Sequence, residues 1–277
     1  MKAQSLSICI PTDGKCNKNC PYCISKMTGN TRENEAFMSI RSDIVKSFAK
    51  RNGINSVILT GKGEPLLNMD SVIRWLRVFE EYPTEVQTNG LTLDEDTRLK
   101  LGCEGANTIA ISIDWEAQFN LHKETFRDFS KMGLITRATV CLTNEKDFPR
   151  VNTLGEFIKA AKSHYIRQLS FREVTIPNFG CVDTPKSKKA QEWIREYIDR
   201  GFYNRINLEI LERIQSRTAY VIRSLPYGAK VVDIDGISVT AFPYCIQDTS
   251  EDNIRSLIFR ADGHLYTSWN SDAGILF

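Results

Sequence analysis

Three cysteines stand close together near the start of the chain, in the sequence Cys16-Asn-Lys-Asn-Cys20-Pro-Tyr-Cys23, which we call the cysteine loop. A loop with this C-x3-C-x2-C spacing can bring three thiolates to one face of an iron–sulfur cubane and leave the fourth iron without a protein ligand. An open iron can bind a small molecule, whereas an electron-carrying ferredoxin cluster has all four irons held by cysteines. The spacing therefore favours a cluster that takes part in chemistry.

A structural zinc site is the main alternative for this loop. Zinc ordinarily takes four Cys or His ligands, often from two C-x2-C pairs, whereas this chain has one such pair and three histidines. A thiol cluster that binds no metal is a weaker alternative, because exposed thiolates this close together would oxidise. The other cysteines are scattered singly, as is typical of small buried apolar side chains: Cys9, Cys103, Cys141, Cys181 and Cys245.

Length and charge limit the class of protein. A chain of 277 residues can form one large α/β domain, or a domain of about 200 residues with a small extension. The formal net charge of +2 is too small to attract a polyanion, so we predict no nucleic-acid partner. No segment approaches the roughly 18 apolar residues of a membrane span, and the start of the chain does not read as a signal peptide. We expect a cytoplasmic protein that does not bind a membrane.

Short β-branched segments alternate with amphipathic segments after the cysteine loop, which predicts βα units around a parallel sheet. Six strands are predicted: Ser5–Ile10, Ser56–Thr60, Glu85–Thr88, Thr108–Ile113, Thr136–Leu142 and Gln168–Val174. Apolar spacings of three and four predict helices between and after them: Ile40–Arg51, Ser71–Glu81, Thr153–Ser163 and Lys186–Arg200. Unusual polar sequences follow the strands, where α/β barrels place their active sites.

The pattern changes from about Phe202 onward. A helix is predicted over Leu208–Arg223, followed by two hairpins that turn at Asp235-Gly236 and Asp262-Gly263. We therefore predict two domains, a barrel over residues 1–201 and a C-terminal helix and β-hairpin subdomain over residues 202–277.

The cysteine loop, with Tyr22 directly before its last cysteine, resembles the signature of the radical S-adenosylmethionine (SAM) superfamily. The resemblance implies an α/β fold, a partial (βα)6 TIM-type barrel with a small C-terminal α+β subdomain, and the strand count supports it independently. It also implies that Cys16, Cys20 and Cys23 hold a [4Fe–4S] cluster whose open iron chelates SAM. An electron, from a donor such as flavodoxin or ferredoxin, then breaks the sulfonium C–S bond, and the resulting 5′-deoxyadenosyl radical abstracts hydrogen from a substrate.

Further segments resemble the family's cofactor-binding positions. Thr60-Gly61-Lys62-Gly63-Glu64-Pro65 resembles the glycine-rich motif after the second strand. The resemblance implies that Gly61 and Gly63 let the backbone approach the ligand and that the Glu64 carboxylate receives its ammonium group. Other positions that look like cofactor contacts are Tyr22, Thr88, Asn89, Ser112 and Asp114.

Two arginines occur in the later predicted strands, Arg137 in the fifth and Arg172 in the sixth. An arginine that points into a barrel mouth can hold a carboxylate or phosphate by a bidentate contact. One of them could bind the carboxylate of the cofactor and the other a substrate anion. The alternative is that they are solvated or paired with Glu173 and its neighbours. No catalytic residue is predicted.

The tail is similar to the C-terminal region of the GTP 3′,8-cyclase family of molybdenum cofactor biosynthesis, through Pro243-Tyr244-Cys245 and Ser256–Trp269. That family carries a second cluster there. Cys245 matches its first cysteine, no cysteine follows three residues later, and Ser268 stands where the third would be. We therefore expect a relative without the auxiliary cluster.

The leading hypothesis is a radical SAM enzyme that rearranges, cyclises or oxidises a small anionic or nucleotide-like substrate. One alternative is an activase of a glycyl-radical enzyme, and another is an enzyme that modifies a ribosomal peptide. From a different class comes a structural iron–sulfur or zinc binding module without catalysis.

Overall fold

The computed structural model describes residues 3–29, 32–178, 180–225, 229–242 and 254–277. Its strands, in chain order, are β1 Ala3–Cys9, β2 Ser56–Thr60, β3 Thr84–Thr88, β4 Thr108–Ile113, β5 Ile135–Leu142, β6 Gln168–Glu173, β7 Tyr220–Ser224, β8 Lys230–Ile234, β9 Ile237–Phe242, β10 Ile254–Phe259 and β11 Leu265–Tyr266. Its helices are α1 Ile24–Thr28, α2 Glu35–Ile40, α3 Ser42–Arg51, α4 Met69–Val78, α5 Glu95–Cys103, α6 Ala117–Leu121, α7 Lys123–Lys131, α8 Leu154–Ser163, α9 Pro185–Tyr197 and α10 Arg200–Gln215. Short 3-10 helices cover Pro65–Asn68 and Glu145–Asp147.

The chain divides into two compact units, and the first combines Met1–Thr108, Ile176–Glu192 and Ile246–Phe277. Its strand order is β11-β10-β1-β2-β3. Strands β10, β1, β2 and β3 run parallel, whereas β11 returns antiparallel to β10. The carboxyl ends of β1, β2 and β3 therefore lie at one edge of the sheet, and the loops that follow them are neighbours.

Helix α4 shows how the apolar pattern builds the core of the first unit. Its amino end is capped by Asn68, whose side chain accepts a hydrogen bond from Ser71 N at 3.2 Å. Trp75 and Phe79 are both almost fully buried, and their rings stack at a centroid distance of 6.1 Å. Trp75 also meets Phe259 of β10 edge-on at 5.5 Å. Burying an aromatic ring of this size contributes about 2–3 kcal/mol, which fixes this helix against the sheet.

The second unit combines Ile109–Thr175 and Trp193–Cys245, and its strand order is β4-β5-β6-β9-β8-β7. Strands β5, β6 and β9 run parallel, and β9, β8 and β7 form an antiparallel meander. Phenylalanines fill the core on one face: the Phe157 ring lies 5.0 Å from that of Phe171 and 5.5 Å from that of Phe148, and Phe148 lies 5.9 Å from Phe202. The order does not close on itself, in keeping with a partial barrel.

The predicted strands agree with the structure to within two residues, and β2 and β4 have the predicted bounds. Two helix predictions are wrong in detail. The helix predicted over Ile40–Arg51 is two helices that meet at Arg41. The helix predicted over Leu208–Arg223 ends at Gln215, because Arg217 adopts a positive φ of 57° and Tyr220-Val221-Ile222 then favours the strand β7.

Both predicted hairpins are confirmed, since β8 and β9 flank Asp235-Gly236 and β10 and β11 flank Asp262-Gly263. Two strands of the tail lie beside strands of the predicted barrel, β10 parallel to β1 and β9 parallel to β6. The division between residues 201 and 202 stays a prediction. Among the described residues no helix is long and apolar enough to span a bilayer.

Candidate functional site

Backbone contacts fix the course of the chain between β1 and the cysteine loop. Ile10 N donates to Thr60 O at 2.7 Å, which continues the pairing of β1 with β2. The chain then turns at Asp13 and Gly14, both in the left-handed region with φ of 54° and 65°. Their amides donate to the Glu33 carboxylate at 2.6 and 3.1 Å. The direction in which the chain enters the cysteine loop is thus set by protein contacts alone.

Among the described residues, the three thiols of the cysteine loop form no disulfide; Cys16 is exposed, and Cys20 and Cys23 are half-buried. Lys18 N donates to Cys16 Sγ at 3.4 Å, and Lys26 Nζ donates to Cys20 O at 2.6 Å. In the described part of the chain no three His, Cys, Asp or Glu side chains are grouped closely enough to hold a metal ion. To share a cluster, the three thiols would have to lie closer together than they do here.

Two glycines let the loop after β2 pack directly on the backbone that leads into the cysteine loop. A Cβ at Gly63 would lie 2.2 Å from both Lys15 O and Thr12 Oγ1, and one at Gly61 would lie 3.1 Å from Ile10 O. Glu64 N donates to Lys15 O at 3.0 Å. The structure thus gives these glycines a role that sequence reasoning missed, since the close approach is to the protein's own backbone. Their expected approach to a ligand stays a prediction.

The Glu64 side chain is only 2% exposed. Its Oε1 accepts hydrogen bonds from Thr88 Oγ1 at 2.6 Å and Leu66 N at 3.2 Å, and its Oε2 accepts from Asn89 N at 2.8 Å. Burial raises the pKa of Glu64, and these hydrogen bonds act in the opposite direction. Since a carboxylate has about four acceptor positions, one stays open to a further donor.

Asn89 connects this carboxylate to the cysteine loop. Its Nδ2 donates hydrogen bonds to Asn17 Oδ1 at 2.7 Å and to Cys16 Sγ at 3.6 Å. A single hydrogen-bonded network therefore includes Cys16, Glu64, Thr88 and Asn89, which the sequence had placed on three separate loops. Tyr22 lies half-buried within the cysteine loop.

The other predicted contacts lie in the second unit. Ser112 is half-buried in β4, and Asp114 is buried directly after it, with its backbone N donating to Gln118 Oε1 at 2.6 Å. Arg137 is near the amino end of β5, where its Nε donates to Gln168 Oε1 at 2.8 Å. Arg172 is near the carboxyl end of β6, with its guanidinium carbon 5.4 Å from the centroid of the Phe242 ring. Their roles stay predictions.

Lys62 and Glu33 support the site, although sequence reasoning gave neither a role. Lys62 Nζ donates to Gly29 O at 2.8 Å, and the hydroxyl of Ser25 donates to Lys62 O, so the loop after β2 is tied to helix α1. Burial lowers the pKa of Lys62, and the nearby charge of Arg260 lowers it further. The lysine between the glycines was visible in the sequence, whereas no local signal marks Glu33.

Arg260 organises the end of the chain. Its guanidinium lies 3.7 Å from the centroid of the Tyr266 ring and donates to Asp272 Oδ1 at 2.5 Å and to the carbonyl oxygens of Ser268 and Ser271 at 2.8 Å each. Ser268, predicted to replace a ligand cysteine, is buried within this arrangement. Cys245 lies outside the described residues.

The cysteine loop and the three strands behind it match a known family over residues 10–132. That family is the radical SAM superfamily. Members of this superfamily use a [4Fe–4S] cluster and SAM. The superfamily prediction and the cofactors that it implies are thereby confirmed at the level of the family.

Two curated relatives show how far the likeness of this chain extends. It is 28% identical over 203 residues to a probable dual-specificity RNA methyltransferase RlmN of Streptococcus mutans, which covers 68% of this chain and 49% of the relative. It is 30% identical over 155 residues to the GTP 3′,8-cyclase of Clostridium acetobutylicum, which covers 52% of this chain and 46% of the relative. The chain thus spans about half the length of these relatives.

Solved structures confirm the fold. SuiB of Streptococcus suis bound to S-adenosylmethionine is similar over 96% of this chain and 60% of SuiB, with a TM-score of 0.64 at 16% identity. SuiB bound to its precursor peptide SuiA gives a TM-score of 0.63 at 16% identity, over 96% of this chain and 59% of SuiB. The predicted α/β fold with a partial barrel is confirmed.

Proposed function

We propose that this protein is an enzyme in which Cys16, Cys20 and Cys23 hold a [4Fe–4S] cluster and Glu64 binds the ammonium group of SAM. The observation that carries the proposal is the network that joins Cys16, through Asn89, to the buried Glu64 carboxylate. Three cysteine thiols are the donor set that iron–sulfur clusters take, and the open acceptor position of Glu64 suits an ammonium donor.

Bound together, cluster and SAM supply a 5′-deoxyadenosyl radical by reductive cleavage of the sulfonium C–S bond. The chain's own residues hold and orient the ligand. Thr88 and Asn89 fix both oxygens of Glu64, so that the carboxylate keeps one orientation. An ammonium beside it opposes the effect of burial and favours its charged form. The Asn89 amide, as a donor to Cys16 Sγ, stabilises negative charge on that sulfur.

Arg172 is the arginine that we assign to an anion of the ligand or substrate. In parallel α/β proteins, ligands bind at the carboxyl ends of the strands. Arg172 is the fifth of the six residues of β6, whereas Arg137 is the third of the eight residues of β5 and donates to Gln168. Arg172 is therefore better placed than Arg137 to bind an anion at the carboxyl ends of the strands.

The substrate that we propose is a small anionic or nucleotide-like molecule, and a donor such as flavodoxin or ferredoxin supplies the electron. The names of two relatives support the nucleotide part, since one acts on GTP and the other methylates RNA. Because SuiB binds a precursor peptide, peptide modification is a second candidate function. Activation of a glycyl-radical enzyme and a purely structural metal site remain alternatives, and cytoplasmic location and the lack of a nucleic-acid partner remain predictions.

Anaerobic reconstitution with iron and sulfide tests the proposal. We expect a broad absorbance near 400 nm, typical of such clusters, that is bleached by dithionite, and the formation of 5′-deoxyadenosine and methionine from SAM. A protein that takes up zinc instead and never cleaves SAM would contradict it.

Cysteine variants locate the cluster within the chain. Replacing Cys16, Cys20 or Cys23 by Ala should abolish both the absorbance and the cleavage. Cys103→Ala is the matched control, because Cys103 is a free thiol outside the loop and, contrary to the burial expected from the sequence, is exposed. Cys245→Ala should leave SAM cleavage intact, and its loss in that variant would show that the tail contributes a ligand.

A further inference from the structure

Three parallel strands of the second unit, β5, β6 and β9, are apolar on one face and polar on the other. On the apolar face, Ala138, Val140, Phe171 and Val239 are fully buried. Parallel strands covered on both faces are near-continuous apolar segments, so a polar face on such strands needs an explanation. We call this second face the polar face.

Strand register arranges the polar face in three rows. Thr139 of β5 pairs with Ser170 of β6, and Ser170 pairs with Thr240 of β9, which gives a central row of three hydroxyls. Toward the carboxyl ends of the strands, the next row is Cys141, Arg172 and Phe242. The row at the amino ends consists of Arg137, Gln168 and Ser238.

Two hydroxyls of the central row lack a hydrogen-bond partner within the described part of the chain, Ser170 Oγ and Thr240 Oγ1. Ser170 is only 2% exposed. A buried hydroxyl left without a partner is destabilising, and native structures rarely contain one without a functional reason. Here two such groups stand side by side on neighbouring strands, which points to a ligand that bonds to both.

Charge on the polar face is positive near the carboxyl ends of its strands. The Arg172 guanidinium lies over the Phe242 ring, at 5.4 Å from its centroid, and a half-buried arginine there can bind a phosphate bidentately. The acidic neighbour on β8 is Asp233, opposite Ser238, and its carboxylate accepts a hydrogen bond from Gly236 N at 3.1 Å. Asp233 therefore lies at the opposite end of the polar face from Arg172.

We propose that the polar face binds the substrate and that the substrate is a sugar phosphate, either free or as part of a nucleoside phosphate. The sugar hydroxyls bond to Ser170 and Thr240, and the phosphate bonds to Arg172. The backbones of the two rows are two residues apart, about 7 Å along a strand, so a molecule of the size of a pentose phosphate can contact both. This inference rests on the proposed function and names its substrate class.

The test measures binding of ribose 5-phosphate, GTP and inorganic phosphate to the anaerobically reconstituted full chain, saturated with SAM, by isothermal titration calorimetry. We expect Ser170→Ala and Thr240→Val each to weaken ribose 5-phosphate or GTP about 10-fold, equivalent to about 1.4 kcal/mol. Their melting temperatures should not fall, because each change removes a hydroxyl without a partner. Arg172→Gln should weaken all three probes.

Thr136→Val is the matched control on the opposite face of β5. Its Oγ1 donates to Tyr165 O at 2.6 Å and the residue is fully buried. This variant should have a lower melting temperature and unchanged affinity for the probes. The opposite pattern in the two kinds of variant separates a ligand-binding hydroxyl from a structural one.

Several results would overturn the inference. One is a wild-type protein that binds none of the probes at millimolar concentration. Another is a wild-type protein that binds inorganic phosphate as tightly as the sugar phosphates, or that binds a peptide more tightly than any of the probes. Affinities unaffected by Ser170→Ala, or a weakened affinity for SAM in place of the probes, would also overturn it. SAM cleavage is measured on the same wild-type sample. A sample that does not cleave SAM would contradict the proposed function, whereas a sample that cleaves SAM but does not bind a sugar phosphate would contradict only the inference.

Discussion

The burial of Glu64 makes the stability of the cluster-free protein depend on pH. Burial raises the pKa of Glu64 above the ordinary 4.5, so the folded state holds its proton more tightly than the unfolded state. The resulting stabilisation is full below the unfolded pKa and is lost as pH rises through the folded pKa. We expect the free energy of unfolding, from urea titrations at a series of pH values, to decline over this range more steeply than in Glu64→Gln.

The control for this measurement is Glu95→Gln, at an exposed residue in the first turn of α5. This variant should keep the decline of the wild type. An identical decline in Glu64→Gln would show that another group causes it.

Gly63→Ala should disrupt the site through the backbone. The added Cβ would stand 2.2 Å from Lys15 O, a backbone atom that cannot rotate away. Overpacking of this kind costs about 1–3 kcal/mol, and we expect reconstituted variant protein to bind less iron and cleave less SAM. Gly155→Ala in α8 is the control, because nothing lies within 4 Å of its added Cβ and the helix should become slightly more stable. Normal iron content in Gly63→Ala would contradict the packing role.

At the scale of residues, the sequence predicted the groups that carry the chemistry but not what supports them. Cys16, Glu64 and Asn89 were all found from motifs, because their types and order follow the strands. Their connection could not be predicted, since it depends on the Asn89 side chain reaching across to another loop. Glu33 accepts hydrogen bonds from the backbone that leads into the cysteine loop. No motif around Glu33 in the sequence predicts this role.

At the scale of elements, α8 begins with a complete capping box. The Thr153 side chain accepts from Glu156 N, and the Glu156 side chain accepts from the backbone of Thr153. Thr153→Ala should lower the free energy of unfolding by about 1 kcal/mol, measured by urea denaturation. Thr153→Ser keeps the hydroxyl and should stay near the wild type. Equal losses in the two variants would mean that the methyl group matters and not the cap.

Strands were predicted better than helix ends because period-two burial and β-branched residues mark a strand along its whole length. Helix ends depend on one or two residues. The helix predicted over Leu208–Arg223 ends too late, because no residue type marks the positive φ at Arg217 that follows the end of α10 at Gln215.

At the scale of the whole molecule, the tail supplies strands to both units. A chain truncated to residues 1–201 would lose β10, in which Leu257 and Phe259 are fully buried beside β1, and β9 beside β6. Since an exposed apolar strand edge promotes aggregation, we expect this fragment to be insoluble. Coexpression with residues 202–277 should restore soluble protein, measured by the amount in the cleared lysate.

A soluble monomeric fragment with a cooperative thermal transition would instead support an independent barrel over residues 1–201. The sequence predicts a domain boundary after residue 201 because the regular alternation of predicted strands and helices ends there. This alternation could not show that β9 and β10 pair in parallel with strands far away in the chain, because such pairing depends on contacts with large sequence separation.

The backbone anchors around the cysteine loop also bear on how the protein matures. Contacts of Ile10, Glu33 and Glu64 with protein atoms hold the approach to the loop, and Cys16 is exposed at the surface. We therefore expect folding to precede delivery of iron and sulfide, with Cys16 accessible to a carrier protein in the folded chain. Oxygen that strips such a site would leave a folded protein ready to be repaired, and not one that must be degraded and made again.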